Sequence, residues 1–300
     1  MRRNGAGMND IVTPEKLVAD LMQLLDVEQT GPDLFQGRRK RGGVGRVYGG
    51  QVIAQALVAA ERTVPEDRAP HSLHAYFLRG GSEDHPVDYA IARDFDGGSF
   101  SNRRVVASQQ GKPILNLTAS FHRVEAGVQH AEPMPDVAGP DQLESEDTLK
   151  SRLIHLVPEA MRALVIQPRA FDVRPVNHLN WLGRTEGPAR LDTWFRAKTP
   201  LPDDPRVHRA FLAHASDYTL LGTCTVPHGV SWMTGEIVGA SLDHAVWFHD
   251  DFRADEWLLY ATDSPWAGRG RGFNRGRIYT QDGRLVAETA QEGLIRVRKP

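Results

Sequence analysis

A compound pattern occurs twice in this chain, and it limits the fold more than any other feature. The first copy has Asn102-Arg103, a β-like run, the turn Gln109-Gln110-Gly111-Lys112 and a second run ending FHRV. The second copy has Asn274-Arg275, the turn Gln281-Asp282-Gly283-Arg284 and a run ending LIRV. In both, Asn precedes Gln by seven residues and Gln precedes Gly by two. Upstream lie two similar segments, LHAYFLRG at 73–80 and DHAVWFHD at 243–250, with His-to-Asn intervals of 28 and 30 residues. Matched spacing across several motifs points to one structural plan used twice.

Each copy also has a helical segment ahead of its strands. In GGQVIAQALVAAERTVP, Val52, Ala56, Ala59 and Ala60 recur at helical spacing before Pro65 stops the helix. In DPRVHRAFLAHASDYTLL, Val207, Phe211, His214 and Tyr218 do the same. YAIARDF, NRRVVASQ, KPILNLTASFHRV, WLLYATD, NRGRIYTQ and RLVAETAQEGLIRV read as strands. The Gly-containing turns are of hairpin length, so the strands pair antiparallel. The expected fold is α+β, a long helix wrapped by an antiparallel sheet, twice over. Its expected divisions are a disordered lead-in at 1–16, a first domain at 17–125, a Pro- and acid-rich linker with some order at 126–170, and a second domain at 171–300.

Composition narrows the function classes. The 300 residues carry 36 Lys and Arg against 38 Asp and Glu, a net charge of −2 that gives no reason to expect a nucleic-acid partner. The basic run GRRKR at 37–41 reads as a solvated loop. The single cysteine, Cys224, excludes an intrachain disulfide and a Cys-based zinc cluster, and beside Leu220 and Leu221 it reads as a small core residue. There is no apolar run long enough to span a membrane, no signal-peptide core after Met1 and no peroxisomal signal in RVRKP, so no stable membrane anchor and a cytoplasmic location are expected. Gly43-Val44-Gly45 with Gly49 follows GRRKR rather than a strand and has the wrong spacing for a dinucleotide loop. The chain has no Gly-x-Ser-x-Gly elbow, His-Glu-x-x-His or phosphate-loop lysine motif. His71 and His74 lack neighbouring ligands. No metal or cofactor is expected.

Three polar residues of the second half fall where apolar ones are expected. Asp217 shares a helical stripe with Ala210, Ala213 and Leu220. Alternation places Gln291 with Leu285, Ala287, Ile295 and Val297 on the buried face of the last strand, where the first copy has Ala119. Ser241 opens the strand leading into AVWF. Taken singly, each has an ordinary structural explanation: a cap, a satisfied core amide, a strand-edge hydroxyl.

Together VYGGQVIAQAL, HSLHAYFLRGG, GKPILNLTASF, PDDPRVHRAFLAHASD, LDHAVWFH, EWLLY and YTQDGRLVAETAQEG resemble the acyl-CoA thioesterase II family, in order, over about residues 17–296. That resemblance implies two tandem hotdog domains and a catalytic set of Asp217, Ser241 and Gln291. Ser241 stands where other members have Thr. In this reading Asp217 polarises a water that Ser241 and Gln291 orient against a fatty acyl-CoA thioester. The backbone at Gly49 and Gly50 is the candidate oxyanion donor. Among Arg269, Arg271, Arg275 and Arg277, the last three are the leading candidates for the CoA phosphates. Sheet edges suggest a homo-oligomer, a dimer or tetramer. Two other readings stay open. One is a non-catalytic acyl-CoA-binding hotdog. The other is a hotdog enoyl-CoA hydratase, which needs an Asp–His pair and could draw on His214.

Overall fold

The computed structural model describes residues 12–40, 45–177, 187–230, 232 and 235–298. The first half contains α1 (Pro14–Leu25), β1 (Val27–Gly31), β2 (Leu34–Gly37), α2 (Gly49–Glu61), β3 (Ala69–Phe77), β4 (Val87–Asp96), β5 (Phe100–Gln109) and β6 (Lys112–His122). The connecting stretch holds α3 (Glu146–Leu153) and α4 (Glu159–Val165). The second half contains β7 (Phe171–Pro175), β8 (Arg190–Ala197), α5 (Pro205–Ser216), β9 (Ile237–Ser241), β10 (Asp243–Phe248), β11 (Leu258–Gly268), β12 (Arg271–Thr280) and β13 (Leu285–Val297). Residues 1–11 of the expected lead-in lie outside the described residues, and α1 begins at Pro14, inside that segment. Its start is fixed by Thr13, whose side chain accepts from Lys16 N–H.

The strands form one antiparallel sheet in the order β1-β2-β4-β5-β6-β3-β10-β13-β12-β11-β8-β7, with β9 also on β13. β3 and β10 form the seam between the halves, pairing from Asp243↔Tyr76 to Trp247↔Ser72. The Ala-rich α2 is enclosed almost all round; Ile53, Ala54, Ala56 and Leu57 are fully buried. Small side chains let neighbours close over it, and each larger one contributes about 1.5–3 kcal/mol on burial. α5 buries Ala210, Phe211, Leu212 and Ala213 against the same core. The two helices run antiparallel. Tyr48, just before α2, donates to His214 O near the end of α5 at 3.0 Å, and Glu61 at the end of α2 pairs with Arg209 at 2.9 Å.

The repeat is real as a plan, but its matching residues are out of phase by one. His244 is buried whereas His74 is exposed, and Asn274 is buried whereas Asn102 is only half-buried. Strand pairing gives the true correspondence: Arg103 opposes Ala119, and Asn274 opposes Gln291. For Asn102 and Asn274 the offset comes from the turns. Gln109↔Lys112 closes tightly over Gln110 and Gly111, both at positive φ, whereas Tyr279↔Leu285 closes a longer loop after a register shift at Ile278/Tyr279. Because strand faces alternate, one extra residue exchanges the buried and exposed sets. In the first half Arg103 fills the space that the small Ala119 leaves, bonding Thr63 Oγ1 at 2.8 Å, Thr63 O at 3.0 Å and Asp96 at 2.7 Å.

Candidate active site

Asp217 caps the C-terminus of α5 rather than lying within the helix, which ends at Ser216 and gives way to a 3₁₀ segment from Leu220 to His228. Its stripe partners Ala210, Ala213 and Leu220 are buried as expected, and its own side chain is 6% exposed. Burial holds the carboxyl protonated to unusually high pH, pushing its pKa up from 3.8 to about 6. Two hydrogen bonds oppose this, one from Gln291 Nε2 to Oδ1 at 2.7 Å and one from the backbone N–H of Gly50.

The bond from Gly50 joins the two halves. The residue before α2, Tyr48, makes no side-chain cap, and the Asp217 carboxylate takes that place from the other half of the chain. The approach requires glycine. A Cβ on Gly49 would fall 2.7 Å from Asp217 Oδ2 and 2.9 Å from Phe77 Cζ, and one on Gly50 would overlap His214 O. The predicted glycines therefore lie at the site, but the Gly50 N–H is already donated to Asp217. The other N–H at this helix start is that of Gly49, at the first helical position.

Gln291 is fully buried on β13, and its Oε1 has no partner among the described residues. Of the neighbours expected on its face, Ala287 is buried, but Val297 is 68% exposed where the strand runs past the core. Ser241 closes β9 instead of opening a strand. It pairs with Gly293, two residues from Gln291, and so faces the same side. The register then shifts: Ser241↔Gly293 on β9 is followed by Ala245↔Ala290 on β10, a one-residue bulge at Leu242-Asp243. Leu242 N bonds Glu292 O at 2.9 Å, and Glu292 N bonds Asp243 Oδ1 at 2.6 Å. Through this bulge Ser241 and His244, an odd number of residues apart, both face inward.

Sequence reasoning did not select His244 or Ser216. His244 is fully buried, with Nδ1 3.1 Å from Gln291 Nε2 and Nε2 2.9 Å from Ser216 Oγ; its Nδ1 is 4.0 Å from Asp217 Oδ1. Burial pushes its pKa down to about 3, so the ring is neutral. Its presence in DHAVWFHD was the only available signal, and simple alternation could not show that it faces inward. Tyr260 braces the end of α5 by donating to Ser216 O at 2.9 Å. His214, the histidine considered at sequence level, instead stacks on Phe171 and is also pushed down to about 3 by burial.

The arginines of β12 do not line this site. Asn274 faces inward, so Arg271, Arg275 and Arg277 project from the opposite face, where carboxylates hold them. Arg271 pairs with Glu292, Arg275 and Arg277 share Asp263, and Arg277 also reaches Glu132. Arg269 sits at positive φ in the β11–β12 turn. Alternation along one strand thus places the three together on the face away from Asp217.

Comparison with known proteins agrees with this architecture. Residues 38–122 match the family model described as acyl-CoA thioesterase N-terminal domain, and residues 165–294 match that of acyl-CoA thioesterase. The human protein named acyl-coenzyme A thioesterase 8 is 41% identical over 285 residues, covering 92% of this chain and 88% of its own. A crystal structure of an acyl-CoA thioesterase II from Mycobacterium marinum is 40% identical with a TM-score of 0.76, covering 93% of this chain and 99% of that one. A protein described as having a hot dog fold, from Alicyclobacillus acidocaldarius, superposes with a TM-score of 0.71 at 21% identity over 92% of this chain and 98% of its own, a likeness of fold. A chain that matches at such identity over nine-tenths of its length, in both halves, belongs to the acyl-CoA thioesterase family.

Proposed function

We propose that the chain hydrolyses fatty acyl-CoA to fatty acid and CoA, with Asp217 as the base that activates water. The observation that carries this reading is a buried carboxyl with a pKa of about 6, bonded to Gln291 and placed at the N-terminus of a helix from the other half. At neutral pH that carboxyl is mostly ionised and can still take a proton, the property a general base needs. Water held by Asp217, Gln291 and Ser241 attacks the thioester carbonyl carbon and passes its proton to Asp217. The carbonyl electrons move onto oxygen, where the Gly49 N–H at the start of α2 stabilises them. The C–S bond then breaks, and the proton on Asp217 goes to the departing CoA sulfur.

The cavity beside Ala215 and Tyr218, lined also by Arg169, Phe171, Thr193 and Tyr260, measures about 20 Å³, room for about one water and not for an acyl chain. For the nucleotide end of CoA we propose the exposed Arg46 and Arg79 instead of the β12 arginines. Arg46 lies along Gly80, and Arg79 is anchored on Pro113 O. Arg46 stands three residues before Gly49 and Arg79 two after Phe77, whose ring packs against Gly49, so about 10 Å of chain or less separates Arg46 from Gly49 and Arg79 from Phe77.

The hydratase reading gains an Asp–His pair in Asp217 and His244, but both ring nitrogens of His244 are already bonded, which leaves no free base on the ring. We further propose functional units at 17–125 and 171–300, a cytoplasmic location and self-association through the edge strands β1 and β7. Among the described residues no helix is long and apolar enough to cross a membrane. The test is free-thiol release from acyl-CoAs of graded length by wild type and Asp217→Asn. Hydrolysis that falls about 10²–10⁴-fold in the variant supports the reading. Binding of acyl-CoA with no thiol release by wild type would replace it with the binding-protein reading.

A further inference from the structure

The hydrogen bonds around Gln291 determine which way its amide faces. An ionised Asp217 only accepts, so the amide NH2 group must face it across the 2.7 Å contact. The second amide hydrogen then points at His244 Nδ1, 3.1 Å away, which must be unprotonated to accept it. The ring proton therefore sits on Nε2 and is donated to Ser216 Oγ at 2.9 Å, while the Ser216 hydroxyl proton goes to Ala213 O at 3.0 Å. This assignment satisfies every link and leaves Gln291 Oε1, buried and without a partner among the described residues, as the remaining acceptor.

We propose that His244 and Ser216 are positioning residues that lock the Gln291 amide so that Oε1 accepts a hydrogen bond from the attacking water. This rests on the hydrolase reading above. The opposite amide orientation sets Oε1 against Asp217 Oδ1, which is tolerable only when Asp217 is protonated and unable to act as base. The chain from Ala213 O to Asp217 thus couples the amide orientation to the ionisation of the base. No substrate or water touches His244 in this role; it acts through Gln291.

The ionisable groups packed around the pair come from several elements. His244 is on β10, Tyr260 on β11, Tyr48 ahead of α2, His214 on α5 and Arg169 just before β7. Burial raises both tyrosines and lowers both histidines, so none of these titrates alongside Asp217 near pH 6. Burial also lowers Arg169, but a guanidinium stays charged throughout that range.

The test compares His244→Asn with His244→Gln and His244→Leu in the full-length protein. An Asn side chain is short enough to place an acceptor near the Nδ1 position, whereas Gln reaches toward Ser216 and leaves the Gln291 amide unmatched. Asn is expected to keep kcat within about 10-fold of wild type, while Gln and Leu lose about 10²-fold with KM little changed. The acid limb of the pH–rate profile should move to higher pH in Gln and Leu, because a freed amide no longer favours the Asp217 carboxylate. If Gln is as active as Asn, or if losses follow melting temperature with an unmoved acid limb, the histidine is merely structural and the proposal fails. Should the His244 variants not fold, Ser216→Ala reads the same chain: a fall of about 10-fold in kcat with the same limb shift supports it, and unchanged kcat overturns it. A wild type that releases no thiol, or an Asp217→Asn variant as active as wild type, would instead sink the hydrolase reading itself.

Discussion

Asp217→Asn should make the protein less active and more stable. Burial raises this carboxyl from 3.8 to about 6, so the folded chain binds the proton more tightly than the unfolded one. The resulting stability is fully present below about pH 4 and is lost as the pH rises through about 6. By pH 7 the ionised carboxylate costs the fold about 3 kcal/mol relative to a group that does not shift. An Asn avoids that cost but keeps only part of the bonding from Gln291 Nε2 and the Gly50 N–H, a loss of about 1 kcal/mol or somewhat more. The balance is a gain of about 1–2 kcal/mol at pH 7, or about 2–3 °C in Tm for a chain of this size. Below pH 4 both side chains are neutral and the gain disappears or reverses. Melting curves of the two proteins at whole pH values from 4 to 8, with thiol release on the same samples, measure both effects. An Asn variant that melts below wild type at pH 7, or a Tm difference equal at pH 5 and pH 7, would refute the assignment of a strained buried carboxylate.

The same ionisation sets the pH–rate profile. kcat/KM should reach half its plateau near pH 6 and fall about tenfold for each unit below pH 5, as read from initial rates at constant ionic strength. Gly50→Ala pushes a methyl group into the His214 carbonyl and should cost about 1–3 kcal/mol in urea unfolding, with kcat falling as the N-terminus of α2 moves off Asp217. Combined Arg46→Ala and Arg79→Ala should raise KM for acyl-CoA about tenfold or more and leave that for acyl-pantetheine, which lacks the nucleotide, unchanged. Equal effects on both substrates would remove these residues from the CoA site.

Much of the site was legible before any fold was known. Asp217 and Gln291 stood out because helical and strand periodicity placed charged and amide groups where apolar ones belong, and family resemblance supplied Ser241. Gly49 and Gly50 were legible as close-approach residues. What they approach was not, since Asp217 lies more than 160 residues away in the chain. The dense local charge of Arg271, Arg275 and Arg277 says nothing about the face it occupies, and only the strand register shows that all three lie on the face of β12 away from Asp217. His244 was hidden by the bulge at Leu242-Asp243, which breaks the period-two rule where it mattered.

The sequence by itself determined the elements and their duplication, because helical spacing, strand alternation and hairpin turns are properties of neighbouring residues. It also placed two polar groups, Asp217 and Gln291, on buried faces of the second half. Only the tertiary structure decided the facing of each copy, since a single extra residue in a turn or bulge exchanges the two sides of a strand. It alone decided that Arg103 fills the first half's counterpart of the site and that the α2 N-terminus reaches Asp217. These are contacts between distant segments, fixed by how the two helices pack across one continuous sheet, and no local pattern encodes them.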